Sequence, residues 1–176
     1  MQGEPIMERK GRKSQEVAIL GIFIALTFLF TMINIKLPVG QGGLIHLGNI
    51  PFFLAAILFG KKMGAIVGGF GMGAFDLLNG WIAWAPFTFI IVGVMGFAVG
   101  AITEKKKNVP RMVFAIVVAL AIKVVGYYIT EVILYHNWIT PFASIPGNIM
   151  QIVVAGIVVV VISAPMKKAF ALFGNN

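Results

Sequence analysis

The chain has 176 residues, 59% of them hydrophobic and 11% charged, with a formal net charge of +8 and no cysteine. That apolar share lies well above the usage of soluble domains and identifies a polytopic membrane protein. The lack of cysteine excludes a disulfide framework, a zinc-thiolate site and thiol catalysis, and the basic residues stand in short clusters between apolar runs, which argues against a nucleic-acid-binding face.

Residues 1–16 are polar, carry Arg9, Lys10, Arg12 and Lys13, and offer both Met1 and Met7 as starts. Ser14 suits the N-cap of a first helix over residues 16–35. This apolar run is about 20 residues long and is followed by no small-residue cleavage site, so it reads as a span rather than a cleaved signal. It contains Gly21-xxx-Ala25, a small-xxx-small seam suited to close helix contact. Residues 36–49, KLPVGQGGLIHLGN, read as a glycine-rich loop carrying Lys36, Gln41 and His46. A second helix over 50–60 is short for a span.

Lys61 and Lys62 form a basic turn, and a third helix follows over 63–80. Gly64, Gly68, Gly69 and Gly73 give it overlapping GxxxG spacings, and Asp76 and Asn79 place a carboxylate and an amide one turn apart near its far end. Trp81, Trp84, Pro86 and Phe87 make an uncharged aromatic turn. The fourth helix covers 86–102, with a seam at Gly93, Gly96 and Gly100. After the basic loop TEKKKNVPR, a fifth helix covers 111–136, residues 137–146 turn the chain, and a sixth helix covers 147–166 before Lys167 and Lys168. Of fourteen Lys and Arg residues, twelve fall in the N-terminal segment, the Lys61 turn, the 105–111 loop and the C-terminal segment. These four lie on one side of a six-span arrangement, which predicts an all-α integral membrane protein of six transmembrane helices with both termini cytoplasmic. The whole of 1–176 reads as one six-helix domain, with 1–15 as a polar cytoplasmic segment.

With that orientation, the polar groups inside the spans gather toward the outer side. An ionisable group within the bilayer is costly and faces the bundle interior or water. Asp76 and Asn79 on helix 3, Lys123, Tyr127 and Glu131 spaced by four on helix 5, and Asn148 and Gln151 on helix 6 therefore suit one shared pocket, with Trp81, Trp84 and His46 at its mouth. Acidic, basic, amide and aromatic groups together fit a small polar ring compound. Two plainer readings stay open: Lys123, Glu131 and Asp76 neutralise one another, or the amides only bind helix to helix. No GxxxxGK[ST], HExxH or paired-Cys motif is present, so the chain carries no nucleotide loop or recognised metal site of its own. Ser144 with His136 lacks the GxSxG setting of a nucleophile.

The segments GLIHLGNIPFFLAAILFGKKMGAIVGGFGMGAFDLL and APFTFIIVGVMGFAVGAI resemble the substrate-binding S components of the energy-coupling factor (ECF) vitamin transporters, in particular the hydroxymethylpyrimidine and pyridoxine-type subgroup. The likeness runs from about Val17 to Lys168. It implies a prokaryotic cell-membrane protein that captures a small water-soluble vitamin or precursor from outside and topples within the membrane to deliver it. It further implies a complex with a transmembrane coupling protein (T component) and two ATPase subunits, which use the ATP. This chain is then no enzyme and holds no cofactor. Gly21 and Ala25 match the small surface by which family members dock on the coupling protein. Asn49 and Val92 depart from the pattern, where an acid and a lysine are expected. Two rivals from other classes are an autonomous proton-coupled secondary transporter, relaying protons through Asp76, Lys123 and Glu131, and a non-transporting assembly subunit.

Overall fold

The computed structural model describes residues 6–36 and 44–173. Six α-helices and a short hairpin follow one another: α1 (Ile6–Met32), β1 (Asn34–Lys36), β2 (Leu44–His46), α2 (Asn49–Phe59), α3 (Lys61–Leu78), α4 (Ala85–Glu104), α5 (Val109–Tyr135) and α6 (Ile145–Phe173). A 3-10 turn, Thr140–Ser144, leads into α6. The six predicted helices are all present, and four stretches, Ser14–Met32, Ala85–Glu104, Val109–Tyr135 and Thr140–Ser163, are long and apolar enough to cross a bilayer. α3 has 18 residues and carries three charged side chains, Lys61, Lys62 and Asp76.

Several boundaries differ from the sequence reading for local reasons. α1 begins at Ile6, so Ser14 lies inside the helix and is not its N-cap. The loop expected over 36–49 contains an antiparallel hairpin that pairs Asn34 with His46, Ile35 with Ile45 and Lys36 with Leu44. Its β-branched isoleucines favour extended backbone, a signal hidden by the surrounding glycines. Gln41 lies outside the described residues. The lysine pair is the first turn of α3 rather than a turn before it, because the break falls one residue earlier at Gly60, whose φ of 90° few other residues adopt. α6 runs through Pro165 instead of stopping near it.

The core is built around α2. Nine of its eleven residues are buried, from Asn49 to Ile57, with Phe52, Phe53, Ala55, Ala56 and Ile57 wholly enclosed. An apolar helix with no polar face belongs in the middle of a bundle, and α1, α3, α4 and α6 all pack on it. Against α3 the approach is close. A Cβ on Gly96 of α4 would run into the Gly64 carbonyl of α3, and one on Gly100 into the Lys61 backbone. Only glycine permits such backbone contact, which is how helices associate tightly where burial of apolar surface supplies little drive. Asn108 caps α5 by accepting a hydrogen bond from the Arg111 backbone N–H at 3.3 Å, with Pro110 in the first turn. At the same end Lys61 pairs with Glu104 at 3.2 Å and Lys107 donates to the Leu58 carbonyl at 2.8 Å.

Candidate substrate pocket

At the opposite end from this glycine contact the helices enclose a polar cavity. Its walls are Asp76, Met72 and Phe75 of α3, Thr88 of α4, Lys123, Tyr127 and Glu131 of α5, Asn148 and Gln151 of α6, and Thr31 of α1. Trp81, Trp84 and His46 close it. The room inside is about 60 Å³.

The α3–α4 turn places the aromatic side. Gly80 takes φ 87°, the Trp81 N–H reaches back to the Asp76 carbonyl at 2.9 Å, and the Trp84 N–H reaches the Trp81 carbonyl at 2.9 Å. This tight reversal brings Trp84 against Tyr127 at 6.3 Å between ring centres, tilted by 33°, with Tyr135 at 5.9 Å and Trp81 at 6.2 Å edge-on. Pairs at such spacings add attraction beyond burial alone. Trp81, Trp84 and Tyr127 therefore form the aromatic wall of the cavity, and Tyr135 packs on Trp84 without lining it.

Lys123 is the most deeply buried charged group among the described residues, 1% exposed at the middle of α5. Its ammonium donates to Gln151 Oε1 at 3.1 Å and lies 5.4 Å from the centre of the Tyr127 ring. The same Gln151 oxygen accepts from Asn49 Nδ2 at 3.4 Å. Asn49 is wholly buried, and its Oδ1 meets no partner among the described residues. Among the described residues Lys123 makes no ion pair, with neither Asp76 nor Glu131 within salt-bridge distance. Glu131 instead accepts from the Ser144 hydroxyl at 2.9 Å, a serine that also lies 3.0 Å from the Pro141 carbonyl. Tyr127 donates to Thr88 Oγ1 at 3.1 Å, and Thr88 and Asp76 both line the cavity.

His46 enters from β2, where its Nδ1 accepts from the Gly48 N–H at 3.2 Å. Burial, with the positive charge of Lys123 adding to it, holds this imidazole well below its ordinary pKa, so the ring is neutral at neutral pH. With Nδ1 accepting, the proton sits on Nε2.

The structure thus brings together Asp76, Trp81, Trp84, Lys123, Tyr127, Glu131, Asn148, Gln151 and His46. Asn79 stands apart from them. It is exposed at the end of α3, and its amide donates to the Phe75 carbonyl at 3.0 Å, so its side chain closes the helix rather than facing the cavity. The residues that sequence reasoning missed are Thr31, Met72, Phe75 and Thr88. Thr88 had a usable signal, a lone hydroxyl one helical turn after Trp84; the other three look like ordinary span residues. Gly21 and Ala25 are both exposed on α1, and nothing lies within 4 Å of a Cβ built on Gly21.

Comparison with known proteins bears on what this cavity is for. A profile of the ECF-type riboflavin transporter S component family matches residues 12–168. The thiamine precursor transporter HmpT of Lactococcus lactis is 29% identical over 170 residues, covering 96% of both chains. A protein of Pyrococcus woesei described only as uncharacterised is 33% identical over 111 residues, or 63% of this chain and 74% of that one. A solved bacterial ECF S component superposes with a TM-score of 0.68 at 19% identity, covering 93% of this chain and 99% of the other, which shows a shared fold. The chain belongs to the ECF-type riboflavin transporter S component family and is the substrate-binding membrane subunit of an ECF importer in the cell membrane.

Proposed function

We propose that this S component captures a single-ring thiamine precursor of the hydroxymethylpyrimidine type, with pyridoxine and pyridoxamine as the nearest competitors. The observation that carries this reading is the cavity's lining, an aromatic wall beside directed donors and acceptors, in a chain that resembles the thiamine precursor transporter HmpT over 96% of its length. The aromatic wall offers a stacking face, and Asp76, Glu131, Lys123 and the His46 Nε2–H offer directed acceptors and donors, which a substituted heterocycle uses along its edge.

Asp76, Trp81, Trp84, Lys123, Tyr127, Glu131, Asn148, Gln151 and His46 form the binding set in this proposal, and Asn79 supports α3. In this reading both termini are cytoplasmic and the pocket opens outward, which the clustering of lysine and arginine supports. The chain works with a T component and two ATPases that hydrolyse ATP, and topples in that complex to release its cargo inward. Gly21 and Ala25 supply the docking surface on the exposed face of α1.

Titration of the purified chain in detergent, followed by tryptophan fluorescence, tests the ligand. Hydroxymethylpyrimidine should quench or shift the emission of Trp81 and Trp84 at lower concentration than pyridoxine, pyridoxamine, thiamine or riboflavin. Preferred binding of riboflavin would overturn the assignment. A Gly21→Leu, Ala25→Leu double variant should keep ligand affinity and lose co-purification with the coupling protein. Intact complex formation by that variant would remove α1 from the docking surface.

A further inference from the structure

A second hollow, separate from the polar cavity, runs between α5 and α6 on the outside of the bundle. Val113, Ile116 and Val117 of α5 and Val153, Ile157 and Val161 of α6 line it, and it encloses about 320 Å³. The two helices touch at its floor, where a Cβ built on Gly156 would lie 2.8 Å from Ile116 Cγ2. Nearer the basic end of the bundle they stay joined, the Ser163 hydroxyl donating to Met112 Sδ at 3.4 Å. The rims stand open: Val113, Val117, Ile157 and Val161 are 48–68% exposed. Helices that associate in lipid do so on small residues. Here Gly156 is already taken up by Ile116, and the rims are β-branched, so the shape suits a thin flexible chain better than another helix.

Charge distinguishes which chain. The halves of α5 and α6 that form the groove, with the segments adjoining them, are residues 105–122 and 152–176. They hold Lys105, Lys106, Lys107, Arg111, Lys167 and Lys168 and no acid. Across the same end of the bundle the charge is balanced instead, since Lys61 pairs with Glu104 at 3.2 Å. The groove extends about 12 Å along α6 from Val153 to Val161, and Lys167 and Lys168 follow on the same helix about 10 Å further on. A chain lying in the groove thus ends among uncompensated cations, and basic clusters at the mouth of an interhelical groove attract anionic headgroups.

We propose that the α5–α6 groove is a binding site for an anionic phospholipid, with one acyl chain between the valines and the phosphate beside the lysines of α6 and of the α4–α5 loop. The site lies on another face of the bundle from the polar cavity and does not rest on the ligand proposed there.

Native mass spectrometry of the full-length chain, released from detergent after titration with dioleoyl phosphatidylglycerol or dioleoyl phosphatidylcholine, tests the site. The wild type should retain phosphatidylglycerol roughly 10-fold more tightly than phosphatidylcholine. Val117→Trp fills the groove and should remove the tight binding, whereas Val125→Trp, at a similarly exposed position of α5 outside the groove, should leave it in place. Replacing Lys167 and Lys168 by Gln should weaken phosphatidylglycerol roughly fivefold per lysine and leave phosphatidylcholine unchanged. The inference is overturned by equal affinity of the wild type for the two lipids, by unchanged binding in Val117→Trp, by an equal loss in Val125→Trp, or by unchanged selectivity in the lysine variant. A dimer of the chain that Val117→Trp dissociates would assign the groove to a second copy and overturn it as well. If Val117→Trp does not fold, Ile157→Trp on the facing rim takes its place, and the lysine variant is read independently of both.

Discussion

The two ends of the bundle are packed by opposite means. Around Gly64, Gly96 and Gly100 the α3 and α4 backbones touch and leave no space for a single carbon, while some turns further along the same two helices carry Asp76 and Thr88 into a polar cavity. The pair stays in contact as far as Gly69, where a Cβ would lie 3.0 Å from the Phe89 carbonyl, so the cavity opens beside α3 and α4, toward α5 and α6, and not by their parting. The contrast teaches where a membrane bundle obtains rigidity when it must keep a polar site. The glycine contacts set the separation of the two helices, and Trp84, Tyr127 and Phe75 line the cavity at the other end.

That contrast can be broken most severely at the tight end. Gly96→Val should cost about 3 kcal/mol or more, because the added carbon meets backbone that cannot swing aside. Gly21→Val, on an open face of α1, should change stability by no more than about 0.5 kcal/mol. Thermal unfolding of both variants in detergent reads the difference, and equal losses would show that the glycines of α3 and α4 have no special part.

At the open end the expected effects are smaller and fall first on the ligand. Gln151→Leu removes the oxygen that Lys123 and Asn49 share, stranding two buried donors at a cost on the order of 1–3 kcal/mol for each. Affinity and melting temperature should both fall, and a variant that binds normally would place the shared amide outside the working site. The smallest effect belongs to Asn79→Ala, which removes one side-chain bond at the end of α3 and should leave ligand affinity unchanged. A marked loss of affinity there would return Asn79 to the cavity wall.

The sequence made the fold legible because its signals were additive. Each apolar run, lysine cluster and GxxxG spacing pointed separately to the same six helices. The pocket was legible for a different reason: a charged or amide group inside an apolar helix has few places to go, and Asp76, Lys123, Glu131, Asn148 and Gln151 all reach the same cavity. Asn79 failed that logic because it falls at a helix end, where an amide can turn back to its own backbone. Thr88 escaped because a hydroxyl can be satisfied within any helix and so carries little positional information. Ser144 was weighed only as a nucleophile, while its partner turned out to be the Glu131 carboxylate thirteen residues away. The hairpin before α2 was obscured because its isoleucines are embedded in a glycine-rich stretch, where turn chemistry dominates the local pattern.

The burial of α2 also has a consequence for how the chain is held in the membrane. Eleven residues rise about 16 Å, roughly half the ~30 Å of a bilayer's hydrocarbon. A segment of that length cannot cross the hydrocarbon alone, even though it is among the most apolar of the protein. What keeps it there is the enclosure supplied by α1, α3, α4 and α6, so the shortest helix of the subunit is anchored by its neighbours and not by lipid.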